Sequence, residues 1–580
     1  MKTRSFFSVL AAIVLVLVLA GAAGAYWLTT NNPLRLQQRV EQSSAKAGVF
    51  ISRQAPVMVS LLVNPDRLTA VDLLTTAPTQ RKQVQTRWRQ FRQDLLSSRQ
   101  LDYNQDIRPW LGNEITLAVT TPDLDRDSSN GQQVGYLVAA AIKDAQQAEQ
   151  AIQTYWQRRA IAGLNLVFEQ YAGVKIIHDG LATEATRRSS DTTPTSAASP
   201  LATAVIADRF VLFANHPKVL RDAINNFQVP ELSLEATVPY QQALEQLSEP
   251  HVGMVYAYLP QLAAWLGQPA LDTVSDATAS SPLFDSLVMA LTLDQQSIVS
   301  DTMLLVAPGQ SLTLAQSSPF EPGQASQYVP PVTPVAATGK DLYQLWTGLE
   351  TSLEGYEPLK ALLEKPLNSL NQQWQLNLPD EIFPWVDGEY AFGLLPNPSR
   401  TGGDWVFVAE RTPTFLSGLT ELDAIAQEQG LTVSNFNLAE QPITAWTKLS
   451  VTPVAIDAAA TRQRQSVTLQ AEVQGVHTTV GNYEVLATSL DAVAQAIQTG
   501  QYSLPVNEEL QQAIALLPSP NQGYLYVDWQ SLDSLGNWSS KIEQRLPPIA
   551  KPFIDRLRSV TISNYETRPG GVHSVIVIRL

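Results

Sequence analysis

Along most of the chain, bulky apolar residues alternate with small or polar ones, and stripes at helical spacing interrupt these runs singly. Pro56–Val63 predicts a strand closed by the turn signal Asn64-Pro65-Asp66. A Pro-Trp corner within Leu101–Val119 then leads into a period-2 run with Ile115, Leu117 and Val119 on one face. Val134–Ile142 reads as a buried strand. Lys143–Arg159 reads as a helix with Ala148, Ile152, Tyr155 and Trp156 inward. Short strands follow at Leu164–Phe168 and Val174–Ile177, then a hairpin of Ala202–Ala207 with Phe210–Ala214. A helix from Lys218, a strand at His251–Tyr258 and a closing strand pair at Ser286–Leu293 and Ile298–Val306 complete this series.

The same order then returns about 275 residues later. Leu376–Leu394 shares Leu101/Leu376, Ile107/Ile382, Pro109/Pro384, Trp110/Trp385 and Glu114/Glu389 with the first corner. Tyr390, Phe392 and Leu394 repeat the bulky face. Strand Trp405–Glu410, helix Phe415–Gln429 (Leu419, Leu422, Ile425 and Ala426 inward) and strands Leu431–Val433 and Ile443–Leu449 follow. Phe210 matches Tyr483, Gly253 matches Gly523, and Ser286–Val306 resembles Ser559–Ile578. Strands in runs broken by single helices predict an α+β fold: two tandem, internally duplicated halves of mostly antiparallel sheet with helices on one face. The expected division is an anchor at 1–28, a basic stalk at 29–55, one half at 56–316, a Pro/Ser-rich linker at 317–338 and the other half at 339–580. Thr183–Pro200 and Val454–Gln465 read as loops, the first of low complexity.

Phe6–Leu28 is apolar apart from Ser8 and carries no charge. It would span about 34 Å as a helix, enough for a hydrocarbon core of ~30 Å. Tyr26 and Trp27 stand where interfacial aromatics belong. This predicts a single-pass signal anchor with a cytoplasmic N-terminus and the body in the periplasm or thylakoid lumen. A signal peptide cleaved at Ala23-Gly24-Ala25 is the rival reading. Insertion with the body in the cytoplasm is a third.

Charge sharpens this picture. The net charge is −15, but residues 28–99 carry eleven Lys and Arg against four acids, a basic collar beside the span. The remainder from residue 100 is strongly acidic, which argues against nucleic acid as a partner. Arg81–Arg99 predicts an amphipathic helix whose Arg81, Lys82, Arg87, Arg89 and Arg92 are candidates for contact with a membrane surface. An ordinary helix with solvated arginines fits the same stripe. The absence of Cys excludes disulfides and thiolate sites.

Catalytic and cofactor signatures are missing from the sequence: no phosphate-binding glycine loop, no nucleophile elbow, no paired histidines at helical spacing. The five histidines (His178, His216, His251, His477 and His573) are scattered and read as structural. Neither a catalytic residue, a cofactor nor a metal is expected. The corner residues Pro109, Trp110, Glu114, Pro384, Trp385 and Glu389 are candidates for a structural role, the tryptophans as core anchors. Glu114 and Glu389 could meet across a pseudo-twofold axis as a proton-sharing or ion-bridging pair. Their shared context favours instead that each accepts backbone N–H groups of its own turn.

The two corners, Asp106-Ile107-Arg108-Pro109-Trp110-Leu111-Gly112-Asn113-Glu114 and Glu381-Ile382-Phe383-Pro384-Trp385-Val386-Asp387-Gly388-Glu389, resemble those of an uncharacterised, N-terminally anchored cyanobacterial family, domain of unknown function 3352. In the second corner the glycine is moved by one place. The resemblance covers nearly the whole chain and implies location and build, with no activity attached. The expectation is a non-enzymatic binding or scaffold protein at the membrane surface. It would contact the bilayer through residues 6–28 and engage a membrane protein complex or envelope component. A carrier or sensor of an apolar ligand such as a lipid or pigment, and a carboxylate-dependent hydrolase, are the alternatives.

Overall fold

The computed structural model describes residues 45–64, 101–127, 133–180, 201–247, 251–265, 282–294, 297–312, 324–356, 376–397, 403–438, 440–454, 466–498, 507–535 and 557–580, with isolated positions between 360 and 371. The expected anchor at 6–28, the basic helix at 81–99 and the loops at 183–200 and 455–465 lie outside the described residues. No helix among the described residues is long and apolar enough to cross a membrane.

The described strands form one 20-stranded sheet. The first ten are β1 (Val57–Leu61), β2 (Leu111–Thr121), β3 (Gly135–Ile142), β4 (Leu166–Tyr171), β5 (Val174–Asp179), β6 (Ala202–Ile206), β7 (Phe210–Ala214), β8 (Gly253–Tyr258), β9 (Phe284–Asp294) and β10 (Ser297–Val306). The second ten are β11 (Val335–Lys340), β12 (Glu389–Leu395), β13 (Asp404–Glu410), β14 (Thr432–Leu438), β15 (Gln441–Val454), β16 (Ser466–Val480), β17 (Tyr483–Ala487), β18 (Gly523–Asp528), β19 (Ser559–Arg568) and β20 (Gly571–Arg579). Every pairing is antiparallel. From one edge the strands run β4-β5-β6-β7-β3-β2-β1-β8-β9-β10. From the other edge they run β14-β15-β16-β17-β13-β12-β11-β18-β19-β20.

The two series therefore have the same neighbour order, and their registers agree. Val57 stands opposite Val119 and Ala257, and Val335 stands opposite Leu394 and Val527. Ala141 faces Phe210 as Glu410 faces Tyr483. The series meet where β10 pairs with β20, from Ser297 opposite Arg579 to Leu305 opposite Gly571.

Helices cover both faces of the sheet, not one as expected. The reason lies in strands such as β3. Leu137 and Ala139 pack in one core cluster with α2 (Pro217–Gln228), while Ala140 packs in another with α1 (Ala145–Ile161). The second series repeats this arrangement. Val406 and Val408 pack with α7 (Leu490–Gln498) and α8 (Glu508–Ile514), and Ala409 packs with α6 (Pro413–Glu428). Further α-helices among the described residues include α3 (Val238–Gln246), α4 (Leu259–Trp265) and α5 (Leu342–Ser352).

Two expected boundaries also move. The end of the presumed stalk is core: Ala45, Ala47, Phe50 and Ile51 are buried under α2, and Lys46–Phe50 forms a one-turn helix. The surrounding basic residues mask this short apolar run. Within the presumed linker, Ala325–Tyr328 forms a similar turn, and Val335-Ala-Ala-Thr supplies β11, paired on both sides by β12 and β18.

Candidate functional site

Each Pro-Trp corner begins with a five-residue helical turn, Tyr103–Ile107 in the first and Leu378–Ile382 in the second. An acid four residues on closes each turn. Asp102 N donates to Asp106 Oδ2 at 2.8 Å, and Asn377 N donates to Glu381 Oε2 at 2.7 Å. Arg158 on α1 pairs with Asp106 and ties the first corner to the helix. Pro109 and Pro384 fix φ immediately before the indoles.

The two tryptophans then diverge. Trp110 is fully buried, donates Nε1–H to Asp106 O at 2.6 Å and packs among Ala148, Ile152, Tyr155 and Trp156. Trp385 is half-buried and lies across Gly418 of α6, where a Cβ would stand 2.1 Å from its ring. The two indoles, expected alike as core anchors, thus stand in different places: Trp110 inside a core cluster, Trp385 against a helix backbone at the surface.

Glu114 and Glu389 do not brace their own turns. Glu114, 1% exposed, accepts from Ala47 N at 2.8 Å, Lys46 N at 3.2 Å and Thr116 Oγ1 at 3.2 Å. Glu389 accepts from Ala325 N at 3.0 Å and from the Tyr483 hydroxyl at 2.5 Å. Each carboxylate thus caps a one-turn helix that arrives from far upstream in its own series, where backbone donors would otherwise be unsatisfied. The two glutamates stand on β2 and β12, nine strand spacings apart along the sheet at ~4.8 Å each. The proton-sharing pair is therefore ruled out by topology.

Beside Glu114 opens a cleft of about 740 Å³. It lies where the C-terminal ends of β1 and β3 meet the N-terminal ends of β2 and β7. Glu114 forms part of its wall, with Asn64, Asn113, Lys46, Lys143 and Arg209 around it. Asn64 Nδ2 donates to Leu111 O at 3.1 Å and to Gly112 O at 2.6 Å, which fixes that wall. Lys46, Asn113, Lys143 and Arg209 are exposed. Lys143 Nζ reaches Arg108 O at 3.1 Å.

A second polar cluster lies on β16 and β17. His477 Nδ1 contacts Glu484 Oε1 at 2.8 Å, and Nε2 lies 3.3 Å from Asp423 Oδ1 on α6, an ion-pair contact. Trp446 donates Nε1–H to the same Asp423 oxygen at 2.7 Å and stands 5.5 Å from the imidazole, ring to ring. Burial lowers the imidazole pKa, but Asp423 and then Glu484 outweigh it and raise it to about 9. With a carboxylate at each nitrogen, the ring is a buried cation rather than a free base. Asp423 is in turn held below the usual carboxylate range: burial opposes this, and His477 and Trp446 overcome it.

Sequence reasoning gave Lys46, Lys143 and Arg209 no role, since they come from three distant segments. It read His477 as a lone histidine. The hairpin closed by Gly481-Asn482 carried the missing signal, because its register sets Glu484 across from Thr479, two residues from His477. His216 caps α2, accepting from Lys218 N at 3.1 Å, as Ser489 caps α7 by accepting from Ala492 N at 3.1 Å. Among the described residues no group of three or more His, Asp or Glu could hold a metal ion. Arg81, Lys82, Arg87, Arg89 and Arg92 lie outside the described residues.

Comparison with known proteins adds a family. A family described as "Protein of unknown function (DUF3352)" matches residues 9–580. No curated protein matches the chain. Among solved structures, "Structure of crystal form I of TP0453" is similar at TM-score 0.23 and 9% identity, over 46% of this chain and 81% of that one. "Structure of crystal form III of TP0453" is similar at TM-score 0.21 and 8% identity, over 47% and 84% respectively.

Proposed function

The chain belongs to the DUF3352 family of proteins of unknown function, and from that premise we propose a non-enzymatic binding protein tethered at a membrane. In this reading residues 6–28 form the anchor and 28–99 the basic collar. The sheet is held on the extracytoplasmic side, in a periplasm or lumen. Tethering confines the search for a partner to one surface and raises its effective concentration. The partner is a membrane complex or envelope component.

The observation that carries the reading is the open cleft of about 740 Å³ at the strand ends around Glu114. Its size suits a small ligand or a protruding group of a larger partner. Its wall carries three cations, two amides and a buried carboxylate. An apolar ligand would gain little there, so the binding reading is favoured over the lipid or pigment carrier. The His477 cluster gives no support to hydrolysis, because both ring nitrogens already face carboxylates.

We further propose that the two series of ten strands are copies of one ancestral unit. The matching neighbour orders and registers support this, as do the paired capping roles of Glu114 and Glu389.

A photo-crosslinking residue at the exposed Asn113, in the full chain in native membranes, tests the binding reading. The expected result is a discrete adduct that disappears when the crosslinker is moved to an exposed position away from the cleft. A well-folded chain that yields no adduct at Asn113 contradicts it.

A further inference from the structure

We propose that the cleft is a phosphate-binding site, with Arg209, Lys143 and Lys46 contacting a phosphate group carried by a small ligand or a lipid headgroup. This rests on the binding reading above and names its ligand class. Residues 100–580 are strongly acidic in sum, so three cations lining one cleft are a local feature set against the general field. No ion pair among the described residues engages any of the three. Glu114 is committed on the protein side to Ala47 N, Lys46 N and the Thr116 hydroxyl. Among the described residues the lining thus holds three cationic side chains and one acidic one. A phosphate group, with several anionic oxygens, can meet more than one of these cations at once, where a single carboxylate offers two oxygens and one charge.

The backbone that carries Arg209 is pinned. Arg209 closes the turn between β6 and β7, where Ala207 and Asp208 hold positive φ values of 52° and 54°. Its backbone N–H donates to Ile206 O at 3.0 Å, and its carbonyl accepts from Ile142 N at 2.7 Å. The guanidinium therefore starts from a fixed point beside Lys143, the residue after Ile142. A planar guanidinium offers paired donors to two phosphate oxygens, and the lysines add mobile point charges.

The second series supplies an internal control. In the same registers Asn482 replaces Arg209, Thr412 replaces Lys143 and Gln324 replaces Lys46. Glu410 stands where the first series has Ala141, and its carboxylate accepts from Glu389 N at 3.0 Å. Tyr483 replaces Phe210 and spends its hydroxyl on Glu389. The equivalent place lacks these three cations and carries two acids, Asp387 and Glu410, where the first series has Gly112 and Ala141; its one added cation, Arg411 at the Ile142 position, is paired with Glu484 at 3.4 Å.

The test is titration of the full chain in neutral detergent with inorganic phosphate, followed by calorimetry. Saturable binding is expected, weakened by added salt. Arg209→Ala, Lys143→Gln and Lys46→Gln should each weaken it by about tenfold, the loss of one charge-assisted contact. Asn482→Ala and Gln324→Ala should leave it unchanged. All five positions are exposed or in the control series, and an unaltered melting curve confirms folding.

A second arm uses phosphatidylcholine vesicles with and without phosphatidic acid. Competition with phosphate by the acidic vesicles alone assigns the site to a lipid headgroup, and no competition assigns it to a soluble phosphate ester. No saturable phosphate binding, or binding indifferent to the three cation substitutions, overturns the proposal. A surviving Asn113 adduct in that case would leave the binding reading standing and remove only the ligand class.

Discussion

His477 offers the sharpest test of the electrostatic reasoning. It is 7% exposed and sits between Glu484 and Asp423. An unfolded histidine titrates near 6.5, and this one is raised to about 9. A folded-state pKa above the unfolded value means that the protonated ring stabilises the fold. That contribution is complete below pH 6.5 and is lost as pH rises through 9. A shift of about 2.5 pH units at ~1.36 kcal/mol each is worth about 3 kcal/mol. Asp423 works in the opposite direction. Its lowered pKa adds stability that is present above the ordinary aspartate range and lost as pH falls. The cluster should therefore hold β16, β17 and α6 together best from about pH 5 to 6.5.

The perturbation is His477→Gln, which keeps hydrogen-bonding capacity and removes the charge. Hydrogen exchange of peptides from β16 and β17, read between pH 6 and 9.5 and corrected for intrinsic exchange, follows local stability directly. In the native chain, protection should fall by about two orders of magnitude across that range. In the variant it should start lower and stay flat. Histidine ring resonances give an independent reading, with the signal lost in the variant titrating well above 6.5. A His477 that titrates at or below 6.5, or a variant with the same pH slope as the native chain, would refute the assignment of a buried imidazolium.

Three further outcomes are expected. Trp110→Ala should cost about 3–5 kcal/mol in denaturant unfolding of the first series, because the indole is fully buried, and Trp385→Ala should cost clearly less. Glu114→Gln should loosen the one-turn helix at Lys46–Phe50 by about 1–3 kcal/mol, since one of two backbone donors loses its carboxylate oxygen; exchange at residues 46–50 reads this out. Gly418→Ala should destabilise α6 by about 1–3 kcal/mol through overpacking, although alanine is the better helix former by ~1 kcal/mol, because its Cβ would fall 2.1 Å from the Trp385 ring; a raised melting temperature would show that the ring swings aside freely.

What the sequence revealed and what it hid divide on physical grounds. Contiguous patterns were legible. The Pro109-Trp110 corner, the stripe of Ala148, Ile152, Tyr155 and Trp156 on α1, and the alternation of β2 all lie where their spacing predicts. Features assembled from distant segments were not. Nothing near Glu114 announces that its partners are Lys46 and Ala47, because a capping contact over that separation leaves no local pattern. Three successive alanines in β3 do not say that both faces are covered, since small residues suit either a packed helix or an open face. Where the two series agree, as at Glu114 and Glu389, the shared residue does scaffold work in both. Where they differ in one register, as at Ala141/Glu410, Phe210/Tyr483 and Arg209/Asn482, the strand neighbours are the same and the side-chain chemistry is not.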